Sequence, residues 1–177
     1  MKTVFLKRAA IVVIAMLTIS LSAAAQLKKG DMDAGVNLLY GTTSGYSDLG
    51  LGAKFRYNVI DPVRLAAEFD YFLKKDYMST WDFSVYGNYL FPVADKLVVY
   101  PEIGLGVVGT TVSVPTISVP GYGNIGGGSA SGSNFALSLG GGVDYQLSPN
   151  LVLNGQLRYK TITGGWFNIL VGIAYKF

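Results

Sequence analysis

The sequence predicts an all-β fold: an eight-stranded antiparallel up-and-down transmembrane β-barrel that follows a cleavable signal peptide. Apolar and polar residues alternate with a period of two over most of the chain after residue 26, which is typical of strands with one apolar and one polar face. Short turn-forming segments alternate with longer ones. Only 14% of the residues are charged whereas 50% are hydrophobic, which disfavours an ordinary soluble domain.

Residues 1–25 have the composition of a secretory signal peptide. A cationic start is followed by an apolar stretch from Ala9 to Leu21 and by small residues that end at Ala25. The apolar stretch is shorter than the roughly 20 residues that a transmembrane helix needs. We therefore expect cleavage after Ala25, export by the secretory pathway and a barrel domain over residues 26–177.

The composition excludes several function classes. The chain has no His and no Cys, which removes the usual zinc and haem ligands, disulfides and the His-dependent catalytic pairs. The net charge of +3 comes from Lys2, Lys7 and Arg8 in the predicted signal peptide, so the remaining chain is neutral and has no basic run. We expect no enzyme activity, no cofactor, no metal and no nucleic-acid partner.

Eight segments carry the alternation, and the fifth is the least regular. Pro101 lies in this fifth segment and cannot donate a hydrogen bond to a neighbouring strand, so we expect a bulge or irregular pairing there. The strands are predicted around residues 32–40, 49–57, 63–71, 81–91, 97–107, 135–145, 151–159 and 167–177.

The connectors differ in length on the two sides of the predicted barrel. Those at 58–62, 92–96 and 148–150 are short and rich in Pro, Asp and Asn. Those on the other side are generally longer, as in bacterial outer-membrane barrels. The longest, residues 110–132, contains no charged residue and is predicted to be a long extracellular loop, whose first half could extend the fifth strand.

Aromatic residues of the apolar face collect at two heights, with an aliphatic belt between them. Two such girdles are typical of a surface that faces a bilayer, because amphipathic rings favour the membrane interfaces. Alternation alone also allows a soluble lipocalin-like barrel with an apolar interior. The predicted girdle residues are Tyr40, Tyr57, Tyr71, Trp81, Tyr89, Phe91, Phe135, Tyr145, Tyr159 and Phe167.

The polar face would then line a lumen that, in an eight-stranded barrel, side chains can fill. Charges of both signs are expected at each height, where they can pair. Glu68 and Glu102 could instead form a paired-carboxylate acid–base site, but the nearby cations favour a structural ion network. The predicted network contains Arg56, Arg64, Glu68, Asp70, Asp82, Glu102, Asp144, Arg158 and Lys160.

The signal ending, the eight alternating segments and the last strand, which closes on an aromatic residue, carry a family resemblance. The chain resembles the small outer-membrane β-barrel proteins of the OmpA/OmpX kind. That resemblance implies the outer membrane of a Gram-negative bacterium, contact with its lipid, and recognition by the barrel-assembly machinery through Gly172, Tyr175 and Phe177. Some small barrels of this kind are enzymes, and resemblance to those implies an active-site His, which this chain lacks. The junction of Ala25 and Gln26 is similar to that of exported proteins of Bacteroidetes-type bacteria.

Two functions follow as expectations. The first is a monomeric, non-enzymatic envelope protein, structural or adhesive, which binds an extracellular protein partner through residues 110–132. The resemblance implies that such a partner adds a strand to an exposed edge, although Pro115 and Pro120 could block that pairing.

The second expected function is a narrow passive pore for ions or small solutes. The pore is favoured by glycines of the inward face that leave space, namely Gly35, Gly50, Gly52, Gly104, Gly106, Gly140 and Gly142.

A third expected function class is a soluble periplasmic protein that binds apolar ligands, which belongs with the lipocalin-like alternative.

Overall fold

The computed structural model describes residues 28–43, 46–75, 77–119, 123–162 and 164–177, so the predicted signal peptide lies outside the described residues. No helix of the described residues is long and apolar enough to cross a membrane. The described chain forms antiparallel strands, which run β1 Met32–Thr43, β2 Tyr46–Ile60, β3 Val63–Lys75, β4 Met78–Tyr89, β5 Phe91–Ala94, β6 Leu97–Val119, β7 Gly123–Ser148, β8 Leu151–Lys160 and β9 Trp166–Lys176.

The sheet closes on itself. Strands that follow one another in sequence pair, except β4 and β5, which both pair with β6, and β1 pairs with β9. The closing pair runs from Asp33 opposite Lys176 to Thr42 opposite Phe167, without a register shift. The ring therefore has eight strands, and the predicted fold class is confirmed.

β4 and β5 are one strand interrupted at Leu90. Asn88 pairs with Glu102 and Phe91 with Val99, so the register is the same on both sides of the interruption. In this register Pro101 lies opposite Tyr89, where it has no N–H to donate. The predicted irregularity at Pro101 is confirmed on this side of β6, whereas the pairing of β6 with β7 continues through Pro101 without a shift.

Residues 110–132 differ from the predicted loop. β6 continues to Val119 and β7 begins at Gly123, and the two strands pair from Thr110 opposite Gly132 to Val119 opposite Gly123. The predicted extension of the fifth strand by the first half of this segment is confirmed, whereas the second half, which was predicted as loop, is also a strand and completes a hairpin. The β-branched residues of 110–119 favour a strand, and the small residues of the opposite half pair with them without crowding.

The apolar face of the strands points away from the lumen. Leu139 is 67% exposed, whereas Arg158 on the neighbouring strand is 1% exposed. Aliphatic side chains of the predicted belt, such as Val36 and Leu51, are exposed as well. A lipocalin-like barrel would bury this face, so that alternative is wrong.

The predicted girdle residues lie on the outer surface, with one correction. Phe91 is only 8% exposed, and its ring centroid lies 4.8 Å from that of Tyr89. Phe91 therefore packs beside the strand interruption and does not present its ring to the surroundings. The other predicted girdle residues are exposed or half-buried, and their place at the membrane interfaces remains a prediction.

A charge placed in the middle of the outer surface is expected to destabilise the barrel. The substitution Leu139→Arg should lower the free energy of unfolding by about 2–4 kcal/mol, because the cation would lie among acyl chains. Ser133→Arg, on the same face of β7 but beyond the girdle residue Phe135, should cost about 1 kcal/mol or less. Urea unfolding in phospholipid vesicles measures both, and equal losses would contradict the assigned depth.

Candidate functional site

The lumen contains the charged side chains that the sequence singled out. The strands place them inward by simple alternation, since each flanks outward apolar residues. Every member of the predicted ion network is buried: Arg56, Arg64, Glu68, Asp70, Asp82, Glu102, Asp144, Arg158 and Lys160.

A first cluster lies at the end of the lumen where the short turns are. Asp144 on β7 accepts hydrogen bonds from Nη1 of Arg56 at 3.0 Å and from Nη1 of Arg64 at 2.6 Å. Arg56 also donates from Nε to Asp33 at 2.5 Å, and Arg64 lies 4.5 Å from the ring centroid of Tyr100. These contacts join five strands through two carboxylates, two guanidinium groups and the ring of Tyr100.

Arg158 is the centre of a second cluster at mid-height. Its guanidinium donates two hydrogen bonds to Glu68, at 2.6 and 2.8 Å, and one from Nε to Glu102 at 2.5 Å. The same group lies 3.9 Å from the ring centroid of Tyr86. Glu102 also accepts a hydrogen bond from Asn88 at 3.2 Å. Arg158 therefore connects β8 to β3, β4 and β6 across the lumen.

The arrangement around Arg158 does not suit acid–base chemistry. Both Glu68 and Glu102 accept hydrogen bonds from one guanidinium, so the two carboxylates share Arg158 as their salt-bridge partner. Neither carboxylate is exposed. The geometry matches the predicted structural ion network. In the described part of the chain no group of His, Cys, Asp and Glu side chains is placed to hold a metal ion.

Nearer the long-loop end, Lys160 pairs with Asp82 and donates to Ser84 at 3.0 Å. Ser84 in turn donates to Asp82 at 2.6 Å. Asp70 differs from the other members, since this buried carboxylate forms no salt bridge with any described residue. Every member of the predicted network except Asp70 therefore forms a salt bridge in the structure.

A cluster of apolar side chains closes the lumen above these charges, and the sequence analysis did not find it. It lies on the inward face at the long-loop end, where the rings of Phe72 and Trp166 pack in a tilted arrangement with centroids 4.4 Å apart. Ile162, from the connection between β8 and β9, packs against it. The residues of this seal are Leu39, Phe72, Val108, Ala136, Trp166 and Leu170.

Side chains of neighbouring strands pack closely against the inward glycines. A Cβ built on Gly104 would collide with the ring of Tyr86, and one built on Gly142 would lie 2.6 Å from the hydroxyl oxygen of Tyr100. A Cβ on Gly52 would collide with the Asp70 carboxylate. The space that these glycines leave is therefore filled by their neighbours, which removes the observation that favoured a pore.

Adding one methyl group at such a position should be costly. In Gly140→Ala the new Cβ would collide with the Leu157 carbonyl and lie 3.0 Å from the Arg158 Cα, and backbone atoms cannot move aside. We expect a loss of about 1–3 kcal/mol in the free energy of unfolding. Gly155→Ala is the matched control, since its Cβ would only make an ordinary 3.6 Å contact with Val143. Similar losses in the two variants, measured by urea unfolding, would contradict this packing.

A cavity opens at the short-turn end of the lumen. Its lining carries both charge signs, with Arg56, Arg64 and Lys96 beside Asp33 and Asp95. Among the described residues, this cavity thus opens at the side where β1 begins and β9 ends, whereas the apolar seal lies at the other end.

The residues of the predicted assembly signal lie on the last strand. Tyr175 and Phe177 expose more than half of their surfaces, 56% and 64%. A Cβ on Gly172 would collide with the Val36 carbonyl of the neighbouring β1, so β9 approaches β1 closely there. Recognition by the assembly machinery remains a prediction.

Comparisons with known proteins agree with this architecture. The most similar solved structures include Neisserial surface protein A (17% identity, 83% of this chain and 96% of that chain, TM-score 0.61) and the attachment invasion locus protein Ail of Yersinia pestis (19%, 84% and 99%, 0.57). The N-terminal β-barrel domain of Pseudomonas aeruginosa OprF is another (13%, 82% and 97%, 0.57). At these identities the likeness shows the fold alone. No curated protein sequence matches significantly.

The profile of one protein family covers most of the sequence. It is described as "Outer membrane protein beta-barrel domain" and matches residues 11–177. With the closed ring of strands and the apolar outer surface, this match assigns both family and location. The chain belongs to the outer-membrane protein β-barrel domain family and is a protein of the Gram-negative outer membrane.

Proposed function

We propose that this barrel is a non-enzymatic envelope protein with a structural or adhesive role, and that it binds its partner through the β6–β7 hairpin. The observation that carries the proposal is the contrast between the lumen and the hairpin. The lumen is crossed by buried ion pairs and closed by an apolar seal. The hairpin extends beyond the last pairs that β6 makes with β4 and β7 makes with β8.

The two free edges of the hairpin differ. On β6, the Ser113 amide still donates to the Tyr77 carbonyl at 2.8 Å. The next residue to face this edge is Pro115, which has no N–H, so the edge is blunted. Pro115 thus supports the idea, left open by the sequence, that proline blocks the addition of a partner strand, but it does so only at the β6 edge.

The β7 edge is open. The Leu137 carbonyl accepts the last hydrogen bond from the β8 side, from the Thr161 amide at 2.8 Å. Beyond it, the backbone groups of Ser129, Ser131 and Ser133 face the same side by alternation and have no partner strand among the described residues. The edge carries neither proline nor charge, so it can accept an added strand of a partner.

Two further features support the absence of catalysis in this proposal. The chain has no His that could serve as a general base near neutral pH. The carboxylates Glu68 and Glu102, the closest approach to an acid–base pair, share the guanidinium of Arg158.

A narrow passive pore is the alternative function. It is favoured by the cavity at the short-turn end and by buried polar atoms that have no hydrogen-bond partner among the described residues, including those of Asn37, Asp70 and Asn168. Such atoms could line a hydrated path between the ion pairs. The seal around Trp166 and Phe72 opposes continuous passage.

Shortening the hairpin tests the adhesive role. Val112 and Ala130 face each other, so a two-residue Asn-Gly turn can replace residues 113–129 and leave the barrel strands paired. Bacteria that expose the full chain or the shortened one are compared for attachment to a cultured cell layer and for sensitivity to detergent. We expect the shortened barrel to fold, as judged by its heat-dependent gel shift, and to lose attachment. Unchanged attachment and detergent resistance would contradict the proposal.

A further inference from the structure

The cavity at the short-turn end of the lumen is lined by two arginines, and each of them has one N–H group without a partner among the described residues. We propose that this cavity binds a small oxyanion, such as inorganic phosphate or a free carboxylate, between Arg56 and Arg64. The site lies at the opposite end of the barrel from the β6–β7 hairpin, so it does not depend on the proposed function.

Each guanidinium is held in place by only some of its N–H groups. Arg56 donates from Nε to Asp33 and from Nη1 to Asp144. Arg64 donates from Nε to Asn88 at 3.2 Å and from Nη1 to Asp144. The Nη2 group of each arginine has no hydrogen-bond partner among the described residues, although Arg56 is only 1% exposed and Arg64 only 3%. The two groups are thus fixed beside one carboxylate, and each keeps a donor for a ligand.

Charge favours an anion in this part of the lumen. Lys54, which lies two positions from Arg56 on the same face of β2, is also buried. Its ammonium donates to Asn154 and forms no salt bridge with any described residue. The nearby carboxylates, Asp33 and Asp144, are already paired with the arginines. Three cations thus face two carboxylates, which leaves one positive charge in excess among the described side chains.

The unpaired carboxylate of the lumen, Asp70, does not balance this charge, because it lies towards the seal. A Cβ built on Gly52 would collide with this carboxylate and would lie 3.3 Å from the Cδ1 of Leu39 in the seal. With Asp70, the carboxylates of this upper part outnumber their cation partners, Arg158 and Lys160. The lumen is therefore positive towards the short turns and negative towards the seal, which directs an anion to the cavity.

The size of the cavity and the shape of its donors limit the ligand. The cavity has a volume of about 60 Å³, roughly twice the volume of one molecule in liquid water. It therefore suits an inorganic oxyanion or a carboxylate group better than a sugar or a nucleotide. A guanidinium presents N–H groups in a flat fork that matches two oxygens of one anion, which favours an oxyanion over chloride.

The position of the cavity identifies the source of the ligand. Short turns of outer-membrane barrels face the periplasm, and Lys96 of one such turn lines the cavity. The wall of strands separates the cavity from the membrane lipid, because its buried lining residues belong to the inward face: Arg56, Asn58, Arg64 and Asp144. The ligand therefore comes from the solutes of the periplasm.

Two substitutions with opposite expected effects test the proposal. The full chain is reconstituted in phospholipid nanodiscs and titrated calorimetrically with inorganic phosphate, and separately with acetate, in a constant background of sodium chloride. We expect Arg64→Lys to weaken phosphate binding about tenfold or more, because lysine keeps the positive charge but lacks the Nη2 group. We expect Asp144→Asn to tighten binding, because it removes the carboxylate that competes for both arginines.

Arg158→Lys is the matched control. It makes the same chemical change in the middle of the lumen, where Arg158 does not line the cavity. Phosphate binding should stay within about twofold of the parent chain, because distant sites act independently. The heat-dependent gel shift confirms that each variant is folded, and nanodiscs without protein measure any binding to the lipid.

Four results would overturn the inference. The first is that neither phosphate nor acetate binds to the folded parent chain, and the second is that protein-free nanodiscs give the same heat. The third is an equal effect of Arg64→Lys and Arg158→Lys. The fourth is weaker binding in Asp144→Asn, which would mean that this carboxylate does not compete with the ligand. The barrel with the shortened hairpin should bind phosphate as the parent chain does.

Discussion

Replacing Arg158 with methionine is expected to lower the free energy of unfolding by about 3–5 kcal/mol. The guanidinium is 1% exposed and is the partner of two carboxylates, Glu68 and Glu102. Methionine fills part of the space but leaves both carboxylates without their cation in a medium of low dielectric constant. Urea unfolding of the refolded barrel in vesicles measures the loss.

Two comparisons make this prediction specific. Lys176→Met removes a cation that pairs with Asp31 at the rim, where both side chains are about a quarter exposed, and should cost about 1 kcal/mol or less. Adding Glu68→Gln to the Arg158→Met variant should recover part of the loss, because one unpaired buried charge disappears. Equal losses for Arg158→Met and Lys176→Met would show that the central cluster is not buried as described.

The substitution Trp166→Ala is expected to cost about 3–5 kcal/mol, because it leaves a cavity in the apolar seal. Trp166 is 6% exposed, and its ring packs against that of Phe72. The neighbouring Leu39 and Leu170 lie on separate strands of the closed ring and cannot collapse freely into the space. Thermal or urea unfolding in detergent micelles measures the effect.

The other tryptophan supplies the control. Trp81 lies on the outer surface and is 36% exposed, so Trp81→Ala should lower the free energy of unfolding clearly less than Trp166→Ala. The reverse order would mean that the seal does not pack inside the lumen.

The sequence was sufficient for the architecture because of one regularity. In a strand, a period of two places alternate residues on opposite faces, so Lys54 and Arg56 had to share a face, and Phe55 had to lie on the other. Since the outer surface is apolar, the buried positions of Glu68, Asp144 and Arg158 followed from the same pattern. Pro101 marked the interruption of pairing, because a missing N–H is a local property.

The pairing partners inside the lumen were not predictable. Arg158 is bonded to Glu68 and Glu102 because tilt and stagger of the closed ring bring three strands together at one height, and no short sequence window contains that information. The apolar seal was not predicted for a related reason. Leu39 and Leu170 occupy inward positions of strands whose other inward residues are mostly polar or small, so the pattern marked their face as polar.

Only the first half of the hairpin was predicted as a possible strand, because polar and apolar residues alternate over 111–114 and 116–119. The second half was missed because Gly126, Gly127 and Gly128 are typical of a flexible loop. Pairing with the β-branched residues of β6 nevertheless extends β7 to Gly123. Cross-strand contacts outweigh local preference there.

Single-channel recording of residues 26–177, folded and inserted in a planar bilayer, shows whether the lumen is filled. The ion pairs around Arg158 and the seal around Trp166 predict insertion without reproducible conductance steps. Steady steps of one size, seen with the folded chain, would contradict the filled lumen and favour the passive pore.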